Sequence, residues 1–205
     1  MHDLTFNQSP NRLDPRVARS ERAIHEALLT ALSSGRDFNS LTVSELAQHA
    51  GVTRKTFYAR VGSLEQLVEG LIYQLFRDIA SRIDDEGLKM PIVGNTLSVS
   101  ILQYCKAHQR VLGPLVRQCP ASLFMKPLSE VLTQMLGRVT QLNQIPALES
   151  VVQAYLIATI ASVIHGVLSV WVERGFCDAP DQIANFTDTL LIEGVQNILQ
   201  ANNRY

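Results

Sequence analysis

The chain has 205 residues, of which 46% are hydrophobic and 18% are charged, and its formal net charge is -1. This composition is apolar enough to build a sizeable core or a large oligomer interface, and it argues against disorder beyond the ends. A net charge near zero excludes a uniformly basic nucleic-acid binder, so any contact with DNA has to come from a local group of basic residues.

The amino-terminal part of the chain predicts an arm followed by helices. Residues 1–15 include two prolines and are expected to form a loose arm. From Arg16 to Ser33, apolar residues recur every three or four positions, which predicts an amphipathic helix. Thr42 and Glu45 then form a capping-box pattern, in which the hydroxyl and the carboxylate pair with backbone N–H groups, and a short helix over Val43–Ala50 is expected to follow.

A second short helix follows after a tight turn. Gly51 favours the turn because glycine adopts left-handed backbone readily, and Thr53 is the expected N-cap of a helix that runs to about Val61. On a helical wheel, Phe57 and Val61 share one face. That face is expected to pack against Leu46, Ala47 and Val52 of the preceding helix. The pattern is therefore a helix-turn-helix.

The rest of the chain predicts further helices only. Ser63 and Gln66 repeat the capping pattern and begin a long amphipathic helix that ends near Asp84. Further helices are expected near residues 92–108, 110–118, 122–142, 146–174 and 180–202, with Pro114, Pro120, Pro146 and Pro180 near their boundaries. The predicted fold is all-α with about nine helices, divided into the arm (1–15), a three-helix head (16–62) and a helical body (63–205).

The cysteines and one apolar segment bear on the compartment. Cys105, Cys119 and Cys177 are widely spaced without a CxxC pair, which fits a reducing cytoplasm, and Cys105 with His108 alone is too few ligands for a metal site. No signal-peptide pattern is visible at the amino end, and no cofactor is expected.

Residues 150–172 carry no charge and are long enough to cross a bilayer of about 30 Å. Polar interruptions and scarce flanking Lys or Arg favour a buried interface helix instead.

The second helix of the helix-turn-helix presents a mixed basic, polar and small apolar surface, which suits a DNA major groove. Lys55 can donate to guanine edges, Thr56 to a base edge or a phosphate, and Ala59 can contact a thymine methyl group. Arg54 can reach bases or phosphate. Backbone contacts are expected from Thr42, Thr53, Tyr58 and Arg60. The alternative is a plain pair of core helices, which would not need Gly51, paired caps and an outward basic cluster.

The run LTVSELAQHAGVTRKTFY, residues 41–58, resembles the signature of the tetracycline-repressor (TetR) family of bacterial transcription regulators. Strong resemblance covers residues 16–70, and residues 155–176 are similar to the closing helices of one subgroup. Val61 replaces a usual aromatic residue. Leu64 stands where a phosphate-contacting Lys is common, and Arg60 is the candidate for a substitute charge. The resemblance implies a head that binds operator DNA and a carboxyl-terminal regulatory and dimerisation domain.

Two helices of the body are candidates for a homodimer interface. Near residues 146–174, small residues form a ridge that allows close helix approach: Ala154, Ala158, Ala161, Ser162, His165 and Ser169. An apolar stripe on the last helix, near 180–202, is formed by Ile183, Phe186, Leu190, Leu191 and Ile198. Two helices from each subunit would form a four-helix interface, which the resemblance also implies. A dimer would space the two recognition helices about 34 to 36 Å apart on one face of DNA.

The resemblance further implies a small-molecule ligand between helices four and eight that releases DNA. Candidate pocket residues are Gln103, Tyr104, Cys105, His108, Tyr155 and His165, each of which also fits an ordinary core or interface position. The predicted function is a sequence-specific regulator, a repressor released from a palindromic operator by a ligand. The main alternative is a helix-turn-helix regulator that answers to a protein partner.

Two other classes of function compete. An enzyme is not expected, because no nucleophile-base pair, phosphate loop or metal set is present in the sequence. A sequence-tolerant architectural DNA binder would give no palindromic consensus in a selection from random duplexes. The sequence does not specify the inducer, the operator or the target genes, nor does it decide between repression and activation.

Overall fold

The structure is a computed structural model of one chain and describes residues 14–92 and 94–202. The predicted arm therefore lies outside the described residues, except for its last two positions. There the chain is already organised, because Asp14 accepts a hydrogen bond of 2.9 Å from the backbone N–H of Arg16 and Pro15 is the first helical residue. Proline is favoured at this position because its missing N–H has no partner there in any case.

The described residues form helices only, joined by turns and short loops. The head contains α1 (Pro15–Ser33), α2 (Val43–His49) and α3 (Arg54–Val61). The body contains α4 (Leu64–Ser81), α5 (Gly94–Ala107), α6 (Gln109–Gln118), α7 (Ser122–Leu142), α8 (Ser150–Glu173), α9 (Pro180–Thr187) and α10 (Glu193–Asn202). A π-helical segment, Asp188–Ile192, joins α9 to α10 without a break. When α9, the π-helical segment and α10 are counted as one element, the described residues contain the nine helices that the sequence predicts.

Three predicted boundaries differ from the structure. The helix predicted to end near Asp84 ends at Ser81. The helix predicted to begin near residue 146 begins at Ser150. Glu149, just before the helix, has extended backbone (ψ 141°), so the preceding residues form a loop. Ile145 and Leu148 of this loop are buried in a second apolar cluster. Pro114 lies inside α6 instead of at its edge. The backbone carbonyl that Pro114 leaves unpaired belongs to the exposed Arg110, where water can satisfy it.

The closing helix is also more complex than its sequence pattern predicts. The pattern predicts one regular helix over residues 180–202, whereas Asp188–Ile192 forms a π-helical turn in its middle. A π-turn widens a helix locally and rotates the side chains that follow it. In this segment Leu191 and Ile192 line an apolar cavity of the body, while Leu190 is exposed.

One apolar core joins the head to the body. Ile24 and Leu28 of α1 are fully buried together with Leu112 and Leu115 of α6, and α4 packs along α7. At the predicted division, residue 62, the chain passes from α3 to α4, and the apolar core continues across this point. Burial of each such side chain contributes roughly 1.5 to 3 kcal/mol, so the head is supported by the body over a broad contact.

The long helix α8 is strongly apolar and is poorly covered. By length and composition alone it could cross a membrane, since an 18-residue window has a mean hydropathy of 1.9, and only 22% of that window is buried within the chain. Val151, Val152, Tyr155 and Val170 are exposed, and Tyr155 has 75% of its surface accessible. The single chain therefore leaves a long apolar helix face uncovered.

Candidate nucleic-acid interface

The first helix of the helix-turn-helix begins with the capping box that the sequence predicts. The Thr42 hydroxyl accepts a hydrogen bond of 3.3 Å from the backbone N–H of Glu45, and the Glu45 carboxylate accepts one of 3.2 Å from the backbone N–H of Thr42. Arg36 also donates to this carboxylate at 3.3 Å and to the backbone carbonyl of Ser40 at 3.0 Å. The hydrogen bond from Thr42, followed by that from Arg36, lowers the pKa of Glu45. Arg36, which no local sequence pattern singles out, thus ties the loop after α1 to the start of α2.

Gly51 forms the turn between α2 and α3. It has a left-handed φ of +65°, and its N–H donates to the carbonyl of Gln48 at 3.1 Å. The N–H of Val52 donates to the carbonyl of Ala47 at 2.9 Å. These two bonds make a Schellman ending, which satisfies the last carbonyls of α2 and reverses the chain in few residues. The predicted role of Gly51 is confirmed by this geometry.

The angle between α2 and α3 is set by one aromatic side chain. Phe57 is fully buried, as is Leu46, and Ala47 is 2% exposed. Val52 and Val61 are partly buried against the same cluster. The predicted inner face of α3 is therefore the inner face in the structure, and the opposite face of α3 points away from the core.

That outer face carries the side chains predicted to contact DNA. Arg54, Lys55, Tyr58, Ala59 and Arg60 are all exposed, and half of the Tyr58 surface is accessible. Among residues 14–92 and 94–202, none forms a hydrogen bond or an ion pair with the side chains of the three cations. Their charges are therefore available to a partner outside the chain.

The start of α3 is held by two threonines. The Thr53 hydroxyl accepts from the backbone N–H of Thr56 at 3.1 Å and lies 2.9 Å from the Thr56 hydroxyl. Thr53 is exposed and Thr56 is partly buried. An N-cap leaves the first N–H groups of a helix pointing outward, which favours an anion such as a phosphate.

The boundary between α3 and α4 depends on glycine. Gly62 has a φ of +72°, and a Cβ atom placed there would lie 2.9 Å from Cδ of Gln66. Gln66 accepts from the backbone N–H of Ser63 at 3.0 Å and its own N–H donates to the Ser63 hydroxyl at 3.2 Å, which completes a second capping box. Leu64, at the position where the family commonly has Lys, is partly buried against the core. Arg60 is exposed in the last turn of α3.

The body contains an apolar cavity of about 260 Å³ that is partly open to solvent. Its walls come from α4, α5, α7, α8, the end of α9, the π-helical segment and α10, and they include Phe76, Ile101, Leu132, Ile164 and Leu191. The sequence pattern predicts core positions for most of these residues, because a stripe of aliphatic residues gives no signal that distinguishes a cavity wall from a filled core.

One candidate from the sequence, Cys105, lines this cavity. Burial raises the pKa of its thiol to about 12, so the thiol is protonated at neutral pH. Gln103 and Tyr104 line a different pocket of about 630 Å³, whose walls include the charged Arg82 and Lys89. The Arg82 guanidinium lies 4.7 Å from the centre of the Tyr104 ring.

The other three candidates lie outside both of these pockets. His108 stacks on Tyr104 with ring centres 3.9 Å apart, and its Nδ1 lies 2.8 Å from the Tyr104 carbonyl. Tyr155 is on the exposed face of α8. His165 contacts the Phe124 ring edge to face at 5.0 Å, and desolvation lowers its pKa. The polar residues predicted as a ligand site therefore do not surround one space.

The geometry by itself defines a class of protein. A helix-turn-helix whose second helix exposes three cations without partners among the described residues is the architecture of a DNA-binding protein. Residues 30–71 match the sequence model described as "Bacterial regulatory proteins, tetR family". This stretch contains the end of α1, the helix-turn-helix and the first turns of α4. This segment of the chain therefore resembles the corresponding segment of the TetR family of bacterial regulators.

A curated relative is similar to part of the chain. A protein of Bacillus subtilis, the uncharacterized HTH-type transcriptional regulator YxbF, is 25% identical over 76 residues, which are 37% of this chain and 20% of that protein. The chain thus matches about a fifth of the length of that relative.

Solved structures share the fold along most of the chain. Lin0861 from Listeria innocua has a TM-score of 0.69 at 16% identity and covers 89% of this chain and 94% of its own. NalD, the secondary repressor of the MexAB-OprM multidrug efflux pump in Pseudomonas aeruginosa, has a TM-score of 0.54 at 15% identity, with 88% and 98% covered. A TetR-family regulator from Streptomyces coelicolor has a TM-score of 0.52 at 14% identity, with 91% and 87% covered. At these identities the likeness concerns the fold.

Proposed function

We propose that the chain is a sequence-specific DNA-binding transcription regulator of the cytoplasm, a homodimeric repressor that a small molecule releases from a palindromic operator. The observation that carries this proposal is the division of α3 into two faces. Phe57 is fully buried on one face, while Arg54, Lys55 and Arg60 are exposed on the rest of the helix without partners among the described residues.

In this proposal some side chains of α3 contact the bases of the DNA and others contact its backbone. Lys55 and Ala59 contact base edges, and Thr56 contacts a base edge or a phosphate. Arg54 reaches bases or phosphate from the start of the helix. Tyr58 and Arg60, with Thr42 and Thr53 at the two caps, contact the DNA backbone, which sets position and register without reading sequence.

The dimer of the proposal forms through α8 and the α9–α10 element. Exposed apolar residues lie on both: Val151, Val152, Tyr155 and Val170 on α8, and Phe186, Leu190 and Ile198 on the closing helices. Ala154, Ala158 and Ser162 of the predicted ridge are at least partly exposed between them, whereas Ala161 is buried within the chain. Exposed apolar surface of this extent on a water-soluble fold is typical of a subunit interface.

The effector site of the proposal is the 260 Å³ cavity. It contacts α4, which is joined to the head, and also the α9–α10 element of the proposed interface. The cavity favours a small molecule over the alternative of a protein partner, because its volume is too small for more than one or two side chains of a protein to enter.

A selection from random duplexes tests the DNA-binding proposal. We expect a palindromic consensus from the native chain. Lys55→Ala should relax the preference at one base pair in each half-site by about 1 to 3 kcal/mol. Arg60→Ala should weaken binding to all sequences alike. It should also make the plot of the log of the association constant against the log of the salt concentration less steep, by about 1 for each phosphate that the variant no longer neutralises.

Tyr58→Ala should behave like Arg60→Ala in affinity, without changing the consensus. Lys126→Ala is the matched control, since Lys126 is a largely solvent-accessible cation on the body. A consensus without symmetry, or unchanged binding by all three variants of α3, would contradict the assigned surface.

A further inference from the structure

We propose that the ligand of the 260 Å³ cavity is an uncharged aliphatic molecule of about ten non-hydrogen atoms that carries one hydroxyl group. The assignment of a regulatory role to this ligand rests on the function proposed above, whereas its binding does not require DNA. Three properties of the cavity support the ligand class: its size, the carbon surface of its walls, and a single polar spot that accepts hydrogen bonds.

The size limits the ligand to a small molecule. A cavity of about 150 Å³ lined by Leu, Ile and Phe side chains stays dry and binds benzene, which has six carbons. In proportion, a cavity of 260 Å³ takes about ten non-hydrogen atoms. A polycyclic drug or a long acyl chain would exceed this volume.

The walls exclude an anionic ligand. Most of the lining is aliphatic, as in Ile79, Leu132 and Ile164, and no charged side chain of the described residues lines the cavity. An ion moved from water into such a space loses its hydration without gaining a partner, which is strongly unfavourable. A carboxylate or phosphate ligand would need a Lys or Arg at the wall, and Arg82 belongs to the other pocket.

The polar spot is formed by Ser98 of α5 and Thr187 at the end of α9, next to the π-helical segment. The Ser98 hydroxyl donates to Oδ1 of Asp188. The Thr187 hydroxyl donates to the carbonyls of Ile183 and Ala184, both at 3.0 Å. Both hydroxyl protons are thus used within the chain, and only acceptor capacity is left for a ligand.

Asp188 lies next to this spot but does not line the cavity. Its Oδ1 atom accepts the Ser98 proton, so the Ser98 oxygen can only accept a further hydrogen bond. A carboxylate close to the wall also disfavours an anionic ligand. The size, the walls and the polar spot therefore all favour a neutral donor.

The experiment is calorimetry of the purified chain without DNA, with four probes of similar length. The probes are 1-octanol, heptyl methyl ether, octanoate and octylammonium at neutral pH. We expect 1-octanol to bind about tenfold more tightly than the ether, which has the same number of heavy atoms but no donor. Octanoate should bind at least roughly tenfold more weakly than 1-octanol, because its charge has no partner at the wall.

Two variants locate the binding site. Leu132→Phe fills the cavity from α7 and should weaken 1-octanol binding about tenfold or more. Leu136→Phe, one turn further along α7 and packed on the second apolar cluster, is the matched control and should bind normally. The double variant Ser98→Ala with Thr187→Val removes both lining hydroxyls and should remove the preference for the alcohol over the ether. This ratio of affinities would not change if the two hydroxyls only stabilised the fold.

Several results would overturn the proposal. They are octanoate binding as tightly as 1-octanol, an ether that binds equally well, unchanged binding by Leu132→Phe, or no binding of any probe. Tighter binding of octylammonium than of 1-octanol would identify Asp188 as a counter-ion and overturn the neutral ligand. Loss of DNA binding in the selection would leave these titrations unchanged, so the two proposals can fail separately.

Discussion

Phe57 and Lys55 are two positions apart in α3, yet one is fully buried and the other is exposed. Each helical residue rotates the side chain by about 100°, so residues two apart point in nearly opposite directions. The apolar ring fixes the helix on the core, and the ammonium group on the opposite side is left to contact a partner. The exposure of Lys55, on which the proposed recognition of DNA depends, thus follows from the burial of Phe57.

Gly62 is the residue for which we expect the largest effect of a methyl group. Gly62→Ala would impose a side chain at a φ of +72° and displace the Gln66 side chain that caps α4. Strained backbone and a disrupted cap together should lower the free energy of unfolding by about 2 to 3 kcal/mol. The measurement is urea denaturation of the native chain and the variant.

Gly70 provides the control for this substitution. It lies on the exposed side of α4, and a Cβ atom there would meet no other atom within 4 Å. Gly70→Ala should therefore increase stability by about 0.5 to 1 kcal/mol, because alanine is the better helix former. Equal effects of the two substitutions would contradict the role given to Gly62.

His25 makes the stability of the chain depend on pH. Burial in α1 lowers its pKa from 6.5 to about 4, so the folded chain keeps the ring neutral where the unfolded chain protonates it. Between these two values the unfolded state binds more protons, and stability falls as the pH falls from about 6.5 towards 4. The loss is at most about 3 kcal/mol for this residue.

Thermal unfolding across this pH range would measure the effect. His25→Gln should flatten the profile, although some slope should persist because desolvation also lowers the pKa of His165. His49→Gln, which changes an exposed histidine of the same head, should leave the profile as it is. A His25→Gln profile as steep as that of the native chain would show that other groups are responsible.

At the scale of elements, α8 has two apolar sides in different surroundings, which its composition alone does not distinguish. Leu156, Leu168 and Trp171 face the core of the same chain, whereas Val151, Tyr155 and Val170 are exposed. An even distribution of apolar residues around a helix is expected when both of its sides are covered. In the proposed dimer, the second side is covered by the partner.

A charged residue in the middle of the exposed side tests the interface. Ser162 is exposed and small, and Ser162→Arg would place a guanidinium where two helices approach closely. We expect the molar mass from light scattering to fall from that of a dimer to the 22.8 kDa of one chain. Thr133→Arg, on the exposed side of α7, is the control and should remain a dimer.

At the scale of the whole molecule, the cavity lies between the two regions that the proposed mechanism has to connect. Its walls include Phe76 and Ile79 of α4, which is joined to the head, and Val195 of α10, which belongs to the proposed dimer element. A ligand that prefers the released arrangement of these helices would shift the chain away from DNA. Such coupling is reciprocal by thermodynamic necessity.

The reciprocity gives a prediction with two independent measurements. If 1-octanol weakens operator binding by a given factor, a saturating operator duplex should weaken 1-octanol binding by the same factor, which for typical coupling is about 5 to 150. Leu132→Phe should bind the operator normally and lose the response to 1-octanol. A factor of one in both directions, measured by fluorescence anisotropy and calorimetry, would show that the two sites are not linked.

The organisation of the head follows from the amino-acid sequence alone, because its signals are local. The capping pairs Thr42 with Glu45 and Ser63 with Gln66, the turn at Gly51 and the buried face at Phe57 each act within a few residues, and the structure confirms them. Helix number and most boundaries in the body also follow from periodicity and proline.

The cavity of the body depends instead on how the helices pack, and this packing separates Gln103 and Tyr104 from the space that Cys105 lines. The π-helical turn at Asp188 and the loop that delays α8 to Ser150 have the same origin. These features depend on contacts between segments far apart in the chain, such as Ser98 with Asp188. A pattern with a period of three or four residues indicates which side of a helix is apolar but not whether that side meets a neighbouring helix, a cavity or a second chain.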